Sequence, residues 1–220
     1  MNIPHWLKAY LSAEQAQQIA GAIQKAESTT SGEIVPMIVR RSSTVGHVPV
    51  ILLSLSIALF FALDGRGWRA EMLGEHWAWY LVEIALLLAT AGLFSKFHWV
   101  QRLLTPRADQ IVQVNMRAEI EFYESGIKKT RDSTGVLIFV SLMEQRAVVL
   151  ADKAINDKVP QDTWREVCDL LIQGMKKKNV GLALGAAILK CGEILTPAFP
   201  IQPDDTNELK NQLIIKEGLA

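Results

Sequence analysis

Two long apolar runs constrain this chain more than any other feature. The first, "VPVILLSLSIALFFAL" at residues 48–63, carries no charge. The second, "WAWYLVEIALLLATAGLF" at residues 77–94, carries only Glu83. Neither shows a polar stripe at 3.6-residue spacing, so neither reads as a surface helix with one wet face. A bilayer core asks for about 20 apolar residues. The second run meets that length, and the first meets it when it is extended back to residue 45. A small domain rarely buries two helices that are apolar on every side. The runs therefore predict a transmembrane helical hairpin with spans at residues 45–63 and 77–94.

The flanks agree with this expectation. Trp68, Trp77, Trp79 and Tyr80 would sit at one membrane interface, and Phe97 and Trp99 at the other. Arg40 and Arg41 precede the first run, and Lys96, Arg102 and Arg107 follow the second. The intervening loop holds only Arg66 and Arg69. That bias places both termini and any soluble domain in the cytoplasm, on the inner face of the cell membrane. Glu83 lies a few residues into its run, where an ionisable group is close to headgroups or neutral. The N-terminus lacks the apolar core and cleavage site of a secretory signal.

Outside the runs the pattern is mixed α/β. Ser12 and Gln15 form a capping box ahead of Ala16, Ile19, Ile23 and Ala26, an apolar face at helical spacing. "EIVPMIVR" then reads as a strand covered on both faces. Pro36 within it cannot donate to a ladder, which predicts an edge or a bulge. After the runs, "TPRADQIVQVNMRAEIEFYE" reads as a helix entered through Thr105 and Pro106, with Ile111, Val114, Ala118 and Phe122 inward. "TGVLIFVSLMEQRAVVL" reads as an antiparallel strand pair around a polar turn. Trp164, Val167, Leu171 and Met175 mark the inner face of a later helix, and a small-residue helix follows it. The strand at residues 33–40 has no partner before the apolar runs, so it must pair with strands after them. The expected organisation is one domain split into residues 1–44 and 105–200, a hairpin insertion at 45–104, and a tail at 201–220 with little core.

Composition narrows the function classes. Lysine plus arginine and aspartate plus glutamate are 23 each, so phosphate neutralisation gives no basis for a nucleic-acid partner. The two cysteines, Cys168 and Cys191, have no metal-ligand spacing and read as buried thiols. Phosphate loops, zinc motifs and nucleophile elbows are absent from the sequence. What remains is a set of charges at strand ends, where ligands of α/β sheets dock. Glu144, Asp152 and Asp157 could hold a divalent cation, calcium or magnesium, through carboxylate oxygens. Arg146 sits beside them in the turn. The plainer reading makes Glu144 and Arg146 a turn pair, with Asp162 a first-turn helix charge.

The elements "LSAEQAQQIAGAIQKAESTTSGEIVPMIV" and "TGVLIFVSLMEQRAVVLADKAI", followed by a helix pair and "FP", resemble the TPM domain family. Ser31, Gly32 and Glu33 match its first strand motif. Thr134, Gly135, Val136 and Leu137 match its second, with Arg146 at the turn arginine. The resemblance implies a small α/β/α sandwich, here interrupted by the transmembrane hairpin. It also implies links to weak phosphatase activity, divalent-cation binding and maintenance of membrane complexes. The family often carries an acid directly before the turn arginine, whereas this chain has Gln145. Two functions follow as expectations. One is a membrane-anchored interaction or maintenance module whose partners are the lipid bilayer and a membrane protein. The alternative is a metal-dependent, phosphatase-like hydrolase of low activity.

Overall fold

The computed structural model describes residues 3–64, 78–203 and 206–218. The chain divides into two compact units. One joins residues 1–43 to 110–220, and the other is residues 44–109.

The first unit is built on a four-stranded sheet in the order β3-β2-β1-β4. The strands are β1 (Glu33–Val39), β2 (Gly135–Ser141), β3 (Arg146–Ala151) and β4 (Ile214–Lys216). β1 runs parallel to β2 and to β4, and β2 pairs antiparallel with β3 across a tight turn. Every residue of β1 and β2 is buried, because apolar side chains from both faces meet helices. On one face lie α1 (Ala13–Glu27), α7 (Arg165–Lys176) and α8 (Val180–Leu195), packed through Ile19, Ile23, Leu171, Leu184 and Ile188 onto Ile34, Ile38 and Ile138. On the other face, Val114, Ala118 and Phe122 of α5 (Arg107–Glu124) meet Val35, Met37, Leu137 and Phe139.

Local signals explain the element boundaries. Ser12 Oγ accepts the Gln15 amide at 3.1 Å, and Gln15 Oε1 accepts the Ser12 amide at 2.9 Å, closing the capping box that starts α1. Trp164, Val167, Leu171 and Met175 are all buried, so the helical periodicity of α7 faces the core. Thr105, directly before Pro106 and the helix at residue 107, also closes the preceding helix, its hydroxyl donating to the Gln101 carbonyl at 2.8 Å. Ile111, expected inward, is largely exposed.

Pro36 lies in an interior strand, and its missing donor costs nothing there. The Glu33 amide points to β2, bonding the Thr134 carbonyl at 3.1 Å, and amides alternate sides along a strand. The nitrogen of Pro36 therefore faces the β4 side. β4 begins opposite Met37, one residue further on, so no ladder bond is forfeited. The tail also departs from expectation. Far from lacking a core role, it supplies β4, which completes the sheet beside β1.

The second unit contains α2 (Val48–Asp64), α3 (Ala78–Phe94) and α4 (His98–Leu104), with α2 and α3 packed side by side. The expected transmembrane hairpin is not what these helices form. No single described helix is long and apolar enough to cross a membrane. Residues 45–47 do not join α2, and among the described residues α2 and α3 cover 17 residues each. At 1.5 Å rise per residue that is about 25 Å, short of the hydrocarbon core of about 30 Å. Segments Leu81–Phe94 and His98–Leu104 reach a spanning length only together, across a 93° bend. The two-span placement is corrected accordingly. The interface residues Trp68 and Trp77, the loop arginines Arg66 and Arg69, and His76 lie outside the described residues. Glu83 is half-buried on α3.

Candidate functional site

The β2–β3 turn sits where ligands dock in open α/β sheets, beside the carboxyl ends of parallel β1 and β2. Its backbone is tied to the chain leaving β1. The Leu142 amide donates to the Val39 carbonyl and the Met143 amide to the Arg40 carbonyl, both at 3.1 Å. Gln145 takes the left-handed conformation, φ 51°, which closes the turn. The geometry folds Glu144 back under the turn, leaving it only 2% exposed.

Glu144 is a hydrogen-bond hub. Its Oε1 accepts the backbone amides of Ser42 at 3.1 Å and Ser43 at 2.7 Å. Its Oε2 accepts the Ser141 hydroxyl at 2.5 Å, and the Ser141 and Ser42 hydroxyls meet at 2.8 Å. A buried carboxylate is stable only when donors replace its water, and this one has three. Those three bonds hold β1's exit against the β2–β3 turn. Two groups in the same region lack hydrogen-bond partners among the described residues, the Ser43 hydroxyl and Nε of Arg146.

The other sequence-picked carboxylates lie elsewhere. Asp152 follows β3 at its far end, its amide bonding the Gly135 carbonyl at 2.9 Å, beside the start of β2. Its Oδ1 accepts the Lys153 amide at 2.7 Å, capping the short helix α6 (Lys153–Asn156). Its Oδ2 is buried without a hydrogen-bond partner among the described residues. Asp157 is exposed at the C-terminal end of α6. β3 separates Glu144 from Asp152 by six residues, about 20 Å at 3.3 Å per residue. The three carboxylates do not converge, and no group of three or more His, Cys, Asp or Glu among the described residues could hold a metal ion.

The two thiols are not activated. Burial raises the Cys191 pKa far above the ordinary value, and the neighbouring Cys168 adds to it. Cys168 is raised by its partial burial and by Asp169, against a smaller opposing hydrogen bond at Val149. A raised thiol pKa keeps the nucleophilic thiolate scarce.

Two features escaped sequence reasoning. The first is a buried ion cluster on α5. Glu121 is fully buried, with Oε1 2.6 Å from Arg117 Nη2 and Oε2 2.5 Å from Lys216 Nζ. The Arg117 contact is a close ion pair outside aligned hydrogen-bond geometry, whereas the Lys216 contact is also a hydrogen bond. A signal existed: Glu121 falls three residues after Ala118 and seven after Val114, on the apolar face of its helix. The partner Lys216 is remote in sequence and gave none. The second is an outward stripe on α5, where Val112, Met116, Ile120 and Tyr123 recur at four- and three-residue steps and are all exposed.

No protein-family model matches the chain, and no curated protein matches it. Among solved structures, the NMR structure of the BA42 protein from the psychrophilic bacterium Bizionia argentinensis is similar. It is 23% identical, with a TM-score of 0.59, over 94% of this chain and 96% of that one. Identity at that level shows a shared fold and carries no activity with it.

Proposed function

We propose that this chain is a membrane-associated interaction module, seated in lipid by α2 and α3 and acting on a membrane protein complex through its α/β unit. One observation carries the reading. Large apolar side chains on both helices, among them Leu55, Leu59, Phe61, Leu81, Leu86 and Leu93, are more than half exposed. Burying one such side chain is worth about 1.5–3 kcal/mol, so these six alone represent on the order of 10 kcal/mol of unused transfer free energy. Contiguous apolar exposure on this scale marks an interaction surface. Lipid satisfies it without needing shape complementarity, which suits helices that are apolar all round.

The α5 stripe supports a protein partner for the α/β unit, since exposed apolar residues at helical spacing are a recurrent docking pattern. The resemblance to the TPM family, with its implied role in membrane-complex maintenance, points the same way. The cytoplasmic face of the cell membrane is the proposed location, on the basic residues that flank α2 and α3. A metal-dependent hydrolase draws no support from the separated carboxylates.

Flotation tests the lipid seat. Full-length protein diluted from detergent should rise with phosphatidylcholine vesicles, and Leu59→Glu/Leu86→Glu should stay in the dense fraction. A wild-type chain that remains monodisperse and lipid-free beside vesicles overturns the reading. For the partner, Met116→Glu/Ile120→Glu should abolish a specific crosslink formed in membranes without changing flotation. Loss of flotation together with the crosslink would count against a separate protein-binding face.

A further inference from the structure

The bend between α3 and α4 is built into the chain. Ser95 donates its hydroxyl to the Gly92 carbonyl at 2.9 Å, and Gln101 Nε2 returns to the Ser95 carbonyl at 2.9 Å. A helix break frees backbone carbonyls, and such groups are tolerated in an apolar setting only when side chains satisfy them. Gln101 does this while 7% exposed, and with Val100 it forms the buried side of α4. The opposite side presents Trp99 and Leu103, four residues apart and 63% and 73% exposed. Phe97, at the bend, is 46% exposed.

Charge accompanies the apolar side. Lys96, Arg102 and Arg107 are exposed within residues 94–109, against the single carboxylate of Asp109. A helix turned 93° from α3, with tryptophan and leucine outward and cations around them, has the composition of an element that lies in a bilayer interface. Tryptophan favours the headgroup level, and long basic side chains reach from there to phosphates.

We propose that α4 is an interfacial foot that lies on the headgroup layer of an anionic bilayer and sets the depth at which α2 and α3 sit. This rests on the lipid-seated reading above and adds two properties to it: a preference for anionic lipid and a shallow position for Trp99. Each cation near an anionic surface contributes about fivefold to binding.

Two measurements on the full chain test it. The first is partition to vesicles of phosphatidylcholine alone and with phosphatidylglycerol. Wild type should bind the anionic vesicles tighter by tenfold or more at low salt, and Lys96→Gln/Arg102→Gln should lose most of that ratio while still floating with neutral vesicles. The second is quenching by lipids brominated near the headgroup or deep in the acyl chain. The emission lost in Trp99→Phe should be the fraction quenched by the shallow label. Equal binding to both vesicles by wild type, an anionic preference intact in the double variant, or deep quenching of the Trp99 fraction each overturn the foot. Absence of binding to either vesicle overturns the lipid seat itself, which separates the two failures.

Discussion

Replacing Glu144 separates a structural hub from a cation ligand. In Glu144→Ala, the amides of Ser42 and Ser43 lose their acceptor inside the protein. The Ser141 hydroxyl keeps a partner, because Ser42 Oγ stands 2.8 Å away. Two orphaned buried donors cost about 1–3 kcal/mol each, so a loss of about 4 kcal/mol is expected. Glu144→Gln leaves a carbonyl oxygen for both amides, and its NH2 can donate to Ser141 Oγ once that hydroxyl turns. Only the charge assistance goes, about 1 kcal/mol. For a chain of this size these losses correspond to about 12 °C and about 3 °C in Tm. The assay is thermal unfolding of the full chain in detergent micelles by near-UV circular dichroism, with hydrogen exchange read at the Ser42 and Ser43 amides. Exchange there should accelerate strongly in the alanine variant and little in the glutamine variant. A glutamine variant as damaged as the alanine variant would refute the hub. So would a rise in wild-type Tm on adding calcium or magnesium that the glutamine variant lacks, because that rise requires a carboxylate bound to the ion.

Three further outcomes are expected. Gly135→Ala places a Cβ 2.7 Å from the Ile127 carbonyl oxygen, a backbone atom that cannot swing aside; a loss of about 1–3 kcal/mol should appear in the same melts. Lys216→Met leaves the buried Glu121 carboxylate with Arg117 alone, so β4 should loosen, with a loss of about 2–3 kcal/mol and faster amide exchange at residues 214–216. Stability should fall as pH rises past 9.0, the ordinary cysteine value, because the unfolded chain releases the Cys191 proton there while burial makes the native state retain it. That one thiol costs about 1.4 kcal/mol in total between pH 8 and 10 (roughly one unit either side of the cysteine value), and melts of Cys191→Ala over that window should show the loss removed.

Much of the α/β unit was legible in the sequence because its signals are local. The Ser12–Gln15 capping box, the Trp164-to-Met175 periodicity and the two apolar runs around residues 143–146 each report on neighbours a few residues apart, the range over which capping and periodicity act. The site was less legible. Glu144, Asp152 and Asp157 lie within 14 residues in sequence, yet the antiparallel return of β3 carries Asp152 to the opposite end of the sheet. The donors that bind Glu144 come from Ser42 and Ser43, about 100 residues earlier, and no spacing rule connects them.

The sequence by itself determined that residues 48–63 and 77–94 are apolar on every side, and that the strand before them needs partners after them. Both follow from composition and patterning, which are properties of the chain alone. Tertiary structure decided the rest. It set the start of α2 at Val48 and the end of α3 at Phe94, because residues 45–47 stay outside the helix and the bend at Ser95–Phe97 is held by a side-chain amide. The sheet decided that Glu144 is a hub, that Pro36 faces a gap beside β4, and that the tail becomes a strand. Each of these depends on which distant backbone stands opposite a given atom, and only the folded chain defines that.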